Sequence, residues 1–395
     1  VEPSPDGSLL GYGLASGGSD WQEFRVRDVA PGEDLPDRIR WVKFSGMAWT
    51  RDGKGFFYSR YPEPGGGELL EANRNMRLHY HRLGTSQDDD PVVYQRPDRP
   101  EWGFGAQVSE DGGWLLIPVW HGTDPRNRLF AMRLGEGPPE PGAPVLELVP
   151  EPAALFTPVE VVDDVLFLVT DLEAPRRRLV RVDLSAWSVG DAPGDWPTVV
   201  PQAESVLEAA HLVGGRLVLQ RLRDAASDVR IHTLDGRELG VLELPGPGTV
   251  VGISGRTGRS EFYYAFTSFL HPTTVLRYDL DREAGEVHRA PAFDFDPADW
   301  VTEQHRATSA DGTRVPFFMT RRRGAPRDGS ARVLLTGYGG FGVSLTPSHS
   351  VSNTLWLEEG GILVVANLRG GGEYGDEWHR AGTGAGKQRV FDDFI

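Results

Sequence analysis

Through the first three quarters of the chain the apolar positions come as short runs set between Asp/Gly turns and polar connections, and the runs arrive in pairs. Leu9–Leu14 is followed by Phe24–Val29, Phe56–Tyr58 by Leu78–Leu83, and Trp114–Val119 by Leu129–Leu134. Val165–Val169 with Leu179–Leu184, Arg216–Leu219 with Val229–Leu234, and Glu261–Ala265 with Val275–Leu280 extend the series to six pairs. Asp6-Gly7, Asp52-Gly53 and Asp111-Gly112 precede the first three. The closing leucines stand at 83, 134, 184, 234 and 280, at intervals of 51, 50, 50 and 46 residues. That period suits a four-stranded propeller blade, because a small antiparallel sheet buries both faces only when a neighbour covers each. Six readable copies and a truncated start predict a seven-bladed β-propeller. The competing reading is a sandwich of irregular antiparallel strands in which the period is accidental.

From about Asp299 the rhythm changes. A hairpin is expected from Thr302–Thr308 and Arg314–Thr320 around Ala310-Asp311-Gly312. The apolar run Val333–Leu335 then leads through a loop and a helix ending near Glu359 to a second run, Ile362–Asn367. Strand, crossover, strand predicts a parallel sheet. Lys387–Ile395 reads as the start of another helix with Phe391 and Phe394 on one face. The expected domains are therefore 1–298, a propeller lacking upstream residues, and 299–395, the first part of a second domain.

Composition narrows the function classes. Length alone, 395 residues, favours two or more domains. Gly (49) and Pro (30) make up one residue in five, which favours short strands and turns over long helices. Lys plus Arg number 41 against 57 Asp plus Glu, a formal net charge of -16 that opposes binding to phosphate backbones, so no nucleic-acid partner is expected. The absence of cysteine removes thiolate nucleophiles, disulfides and Cys-ligated metals within these residues. No stretch approaches the roughly 18 to 20 apolar residues of a membrane span, so a soluble monomer without a membrane partner is expected. The chain opens Val1-Glu2-Pro3 without an initiator methionine, which leaves cytoplasm and periplasm both open.

Two glycine-rich segments follow the later apolar runs. Gly337-Tyr338-Gly339-Gly340-Phe341-Gly342 has neither the Gly-Lys-Ser/Thr ending of a phosphate loop nor the spacing of a dinucleotide site. It fits an oxyanion-stabilising loop, with Tyr338 offering a neutral O–H donor, or else a plain glycine turn with Tyr338 packed in the core. In Asn367-Leu368-Arg369-Gly370-Gly371-Gly372-Glu373-Tyr374-Gly375 the glycines forbid a stable helix. Arg369 is expected to pair with Glu373 or a substrate carboxylate, or to form a surface ion pair in a tight turn. His79 and His81 lack an acidic triad in register, and no His-Glu-x-x-His occurs, so neither metal nor cofactor is expected. The aromatics, Trp21, Phe44, Trp49 and Trp114 among them, are expected to pack between blades.

Ser19-Asp20-Trp21, Phe44-Ser45-Gly46-Met47-Ala48-Trp49-Thr50, Asp124-Pro125-Arg126-Asn127-Arg128, Thr267-Ser268-Phe269, the two glycine loops, Trp378-His379 and Lys387–Phe394 occur in an ordered series. Together they resemble the prolyl oligopeptidase family over essentially the whole chain. The resemblance implies a seven-bladed β-propeller capping an α/β-hydrolase domain, and a serine peptidase that cleaves short peptides after proline by an acyl-enzyme route. It implies that the Tyr338 hydroxyl serves the oxyanion and that Phe341 lines the proline pocket. Phe44 would reach an outer substrate pocket, and Asp20 would take part in contact between the domains. Thr123 stands where some relatives carry a reactive cysteine, and Gly103 follows Trp102 where relatives carry a bulkier pocket residue, so neither thiol sensitivity nor outer-subsite preference is inherited. The family's serine, acid and histidine fall beyond Ile395, and no Gly-x-Ser-x-Gly elbow occurs in these residues. These 395 residues alone are thus expected to be inactive, with a C-terminal continuation supplying the nucleophile. The alternatives are a sister oligopeptidase with a different P1 preference and a noncatalytic propeller that binds peptides.

Overall fold

The computed structural model describes residues 1–65, 72–135, 139, 142–326 and 328–395. The chain divides into two compact units, Val1–Leu168 with Arg181–Pro197, and Val169–Val180 with Thr198–Ile395. Among the described residues six antiparallel sheets follow one another in sequence before the C-terminal region. Their second and third strands are Leu9–Ala15 with Gln22–Asp28, Gly55–Arg60 with Arg77–Arg82, and Trp114–His121 with Arg128–Arg133 in the first three. In the last three they are Val165–Thr170 with Arg178–Asp183, Arg216–Arg223 with Ala226–Thr233, and Glu261–Thr267 with Thr274–Asp279. Each sheet takes its strands in chain order, as a meander does, and the third carries an extra short strand, Trp102–Phe104, beside Trp114–His121. Together they make the propeller-like sheet region that the leucine period predicts.

In the first unit the packing explains the uninterrupted apolar runs. Along Gly55–Arg60 successive side chains point to opposite faces. Phe56 and Tyr58 pack with Phe24, Val26 and Ile39 of the first sheet, while Phe57 packs with Phe104, Leu115 and Ile117 of the third. With both faces covered, every position of the strand is free to be apolar. The closing residues have a backbone reason to recur. The N–H of Leu83 donates to the Lys54 carbonyl (3.0 Å), that of Leu134 to Gly113 (2.8 Å) and that of Leu184 to Asp164 (2.8 Å), each sealing the hairpin between second and third strands. In the second unit Leu280 does the same at Ser260 (2.8 Å).

The turns that precede the first three hairpins share one construction. Gly7, Gly53 and Gly112 sit at φ +75°, +67° and +76°, and their N–H groups return to the carbonyls of Ser4, Thr50 and Ser109. Those hydroxyls donate in turn to Asp6, Asp52 and Asp111. Left-handed backbone of this kind favours glycine.

A buried ion cluster lies between the first two sheets of the first unit. His81 is fully buried, with Nδ1 2.9 Å from Asp90 Oδ1 and Nε2 3.0 Å from Asp37 Oδ1. Tyr58 donates to Asp90 Oδ2 at 2.7 Å and the Gly84 N–H to Asp37 Oδ1 at 2.6 Å. Burial alone would push the His81 pKa down, but the two carboxylates outweigh it and lift it to about 9. Burial likewise pushes Asp37 up, and is outweighed by the bonds from His81 and Gly84, which hold it below the ordinary range. Because the folded His81 pKa exceeds the unfolded one, its contribution is complete below about pH 6.5 and is lost as pH rises through about 9. Asp37 adds the opposite edge, losing its contribution as pH falls through its depressed pKa. The urea midpoint of the protein is therefore expected to exceed that of H81Q by more at pH 6.5 than at pH 10; an equal difference at both would contradict the assignment.

In the second unit, Val218, Val229 and Ile231 of the fifth sheet pack on Val250, Phe262 and Tyr264 of the sixth. The chain then enters a mixed sheet ordered Trp300–Thr308, Arg314–Arg322, Ile362–Ala366, Val333–Gly337. The first two form the expected hairpin, and Val333–Gly337 runs parallel to Ile362–Ala366. Helix α1, Val351–Glu358, lies in the crossover. Its Leu357 joins Trp300, Phe318, Leu363 and Val365 in a core that also takes Phe269 and Leu270 from the loop between two strands of the sixth sheet. Two short helices follow, α2 (Asp376–Ala381) and α3 (Gln388–Phe394). On α3 the buried positions are Val390 and Asp393, while Phe391 and Phe394 stay 54% and 39% exposed. No helix among the described residues is long and apolar enough to cross a membrane.

Candidate functional site

At the end of the strand Val333–Gly337 the chain turns through the first glycine loop. Tyr338 is 50% exposed and Phe341 88%, so neither is a core residue, and their rings lie 6.5 Å apart at 26°. The Tyr338 hydroxyl has no hydrogen-bond partner among the described residues. Phe341 adopts φ +53°, a left-handed backbone that costs a bulky residue about 1–3 kcal/mol and persists only where the surroundings impose it.

Those surroundings are the second glycine loop. The Gly342 N–H donates to the Gly370 carbonyl at 3.0 Å, and Lys387 Nζ donates to the Gly339 carbonyl at 2.7 Å. A Cβ added at Gly370, whose φ is +91°, would sit 2.6 Å from the Gly339 carbonyl oxygen; one at Gly339 would sit 2.9 Å from that of Arg369. The glycines are thus required by backbone packed directly on backbone. His379 of α2 places Nδ1 2.8 Å from the Gly370 carbonyl, and the Trp378 indole N–H donates to the Leu368 carbonyl at 3.0 Å.

Arg369 is not paired with Glu373, and its guanidinium is buried. It is 4% exposed and reaches Asp393 on α3, with Nη2 to Oδ1 at 2.6 Å and Nε to Oδ2 at 2.9 Å, while its own N–H donates to Oδ2 at 3.0 Å. Its other edge meets Asp311 Oδ2 at 2.5 Å. Asp311 belongs to a Ser309-Ala310-Asp311-Gly312 turn built like those that precede the early hairpins, with Gly312 at φ +87° and its N–H on the Ser309 carbonyl. The Arg369 and Thr313 bonds hold the Asp311 carboxyl far below the usual carboxylate range. Glu373 instead turns inward, and burial pushes its carboxyl up against the bonds it accepts.

In the first unit Asp20 and Phe44 are brought together by Lys43, which sequence reasoning missed. Its Nζ lies 3.6 Å from Asp20 Oδ2, 5.2 Å from the Phe44 ring centroid and 5.3 Å from that of Trp21. The Trp21 ring stands perpendicular to those of Trp41 and Tyr61, with centroids 5.9 and 6.0 Å away. The available signal was a cation between two aromatics, Trp41 and Phe44, in a segment to which Asp20-Trp21 could return. Phe44 is exposed and holds φ +56°. Most described non-glycine residues with positive φ are turn residues such as Asp163, Asp224 and Glu283; the aromatic ones are Trp41, Phe44 and Phe341. Two of those three are the expected substrate contacts, and strain of this kind gathers at functional sites. No group of three or more His, Asp or Glu side chains among the described residues is placed to share a metal ion.

Residues 1–291 match the family described as prolyl oligopeptidase, N-terminal beta-propeller domain, and residues 347–395 match the prolyl oligopeptidase family. The chain is 34% identical over 393 residues to a prolyl endopeptidase of Elizabethkingia miricola, covering 98% of this chain and 54% of that protein. It is 27% identical over 446 residues to a prolyl endopeptidase of Dictyostelium discoideum, covering 99% and 57%. Among solved structures, one from a study of two prolyl endopeptidases and their inter-domain dynamics superimposes with a TM-score of 0.80 at 42% identity, covering 100% of this chain and 55% of that one. Prolyl oligopeptidase B from Galerina marginata, bound to a 35mer hydrolysis and macrocyclization substrate, superimposes with a TM-score of 0.91 at 30% identity, covering 100% and 56%. The chain spans about half the length of the curated relatives it matches.

Proposed function

Because the chain belongs to the prolyl oligopeptidase family, we propose that these residues act within a longer polypeptide as a serine endopeptidase that cleaves short peptides on the carboxyl side of proline. One observation carries the reading: Tyr338 offers an unpartnered hydroxyl at the end of a parallel strand, beside an exposed Phe341 held in left-handed backbone. The carboxyl end of a sheet strand is where open α/β sheets present ligands.

In this reading a serine from the continuation attacks the scissile carbonyl. A histidine takes the serine proton and passes it to the leaving amine, and an acid orients the histidine. As the carbonyl oxygen gains charge, the Tyr338 O–H donates to it, a bond stronger in the transition state than in the substrate. Phe341 offers the flat apolar wall that a proline ring needs, and Phe44 does the same for an outer residue of the peptide. Asp20, with Lys43 beside its carboxylate, serves the contact between propeller and peptidase domain, which divide at residue 298. The propeller restricts access, so that short extended peptides reach the serine and folded chains do not.

A panel of short peptides that differ only in the residue before the cleaved bond tests the proposal. The continuous polypeptide is expected to cut after proline and the 395 residues alone to cut nothing. Preferential cleavage after a basic residue would replace this reading with a sister peptidase. Binding without cleavage by the continuous polypeptide would replace it with a noncatalytic peptide-binding propeller.

A further inference from the structure

The loop that presents Tyr338 and Phe341 is tied down again at Leu345, by two side chains for which the mechanism above has no use. The Leu345 N–H donates to Glu373 Oε1 at 3.0 Å, and the Leu345 carbonyl accepts from Asn367 Nδ2 at 2.6 Å. The same Nδ2 lies 3.3 Å from Glu373 Oε1, so the two side chains brace one another. Asn367 is fully buried and Glu373 is 2% exposed. A carboxyl group in such a place costs stability unless its bonds return something. Arg369, the nearest cation in sequence, is committed to Asp393 and Asp311.

What the bonds return is a fixed loop. Gly339, Gly340 and Gly342 leave the segment after Tyr338 with little conformational preference of its own. It is therefore held from outside, at the Gly339 carbonyl by Lys387, at the Gly342 N–H by Gly370, and at both backbone groups of Leu345 by the Asn367–Glu373 pair. The last of these is the only one made by buried side chains on the second glycine loop, and it binds the two loops into one body.

We propose that Glu373, braced by Asn367, is a positioning residue for the peptidase reaction: its carboxyl oxygen fixes Leu345 and through it the loop that aims the Tyr338 hydroxyl. It does not touch the substrate and exchanges no proton with it. The inference rests on Tyr338 acting as the oxyanion donor proposed above. Burial pushes the Glu373 carboxyl toward its neutral form, so a glutamine, which keeps the acceptor oxygen, is its close mimic.

The test measures kcat, KM and hydrogen exchange at the Leu345 amide in the continuous polypeptide. E373A is expected to lower kcat by about tenfold to a hundredfold, the range for a catalytic group displaced by about 1 Å, with KM within about twofold. Exchange at Leu345 should speed up by about tenfold or more, since its N–H loses its acceptor. E373Q should restore both to within about threefold of the parent protein, because an amide carbonyl accepts the same bond. If E373A fails to fold, E373D, whose shorter side chain withdraws the acceptor, takes its place. An unchanged kcat, unchanged exchange at Leu345, or an E373Q as impaired as E373A would each overturn the proposal. A parent protein that cleaves no peptide would defeat the proposed function, while exchange at Leu345 would still decide whether the clamp exists.

Discussion

Replacing Tyr338 by phenylalanine is expected to lower kcat on a proline-containing peptide by about a hundredfold or more, with KM within about twofold. The substitution removes one oxygen and leaves the ring in place against Phe341. Since the hydroxyl has no partner among the described residues, its loss strands no buried donor or acceptor, and folding should be unaffected. The hydroxyl meets a neutral carbonyl oxygen in the substrate and an oxyanion in the transition state, so the loss should fall on kcat. Steady-state kinetics of the continuous polypeptide separate the two constants. A Y338F enzyme with the parent kcat would remove Tyr338 from the mechanism, and one with raised KM alone would make it a binding residue.

The second large effect is on stability. R369M is expected to destabilise the protein by about 3–5 kcal/mol, because it leaves the Asp393 carboxylate buried without its cation. The Asp393 side chain is fully buried, whereas Asp311 is 44% exposed and regains water when Arg369 is lost. The cost should therefore arise mainly at Asp393. The double variant R369M/D393N should recover part of it, since a neutral amide needs no cation and its carbonyl oxygen can still accept the residue-369 N–H that Asp393 Oδ2 holds at 3.0 Å. Urea unfolding of the parent, R369M and double variants checks this. A single variant within about 0.5 kcal/mol of the parent would mean that water reaches Asp393 and the network is a surface feature.

The central strands of the propeller-like sheets were legible because neighbouring sheets cover both faces and the side chains form uninterrupted apolar runs, as in Phe56–Tyr58 and Leu115–Ile117. The outer strands were not. Ala284–Arg289 is exposed at every position and Glu238–Val241 at three of four, so backbone pairing holds them and no side-chain pattern announces them. Glu33–Val42 carries Pro36 and five charged residues and pairs with its neighbour through register shifts. Tyr338 and Phe341 could be picked out because glycines crowd around them directly after an apolar run. The partners of Arg369 could not, for Asp311 and Asp393 lie 58 and 24 residues away while Glu373 stands four positions on. Proximity along the chain favoured the wrong carboxylate. His81 shows the same limit, because one of its two carboxylates, Asp37, arrives from 44 residues away on another sheet.

The most direct measurement is a crystal structure of the continuous polypeptide carrying a short proline boronate or aldehyde on its nucleophile, a stable copy of the tetrahedral intermediate. The Tyr338 hydroxyl oxygen is expected at about 2.7–3.1 Å from the adduct oxygen, with the proline ring against Phe341. An adduct oxygen turned to water, or bonded only by other donors with Tyr338 more than about 4 Å away, would contradict it.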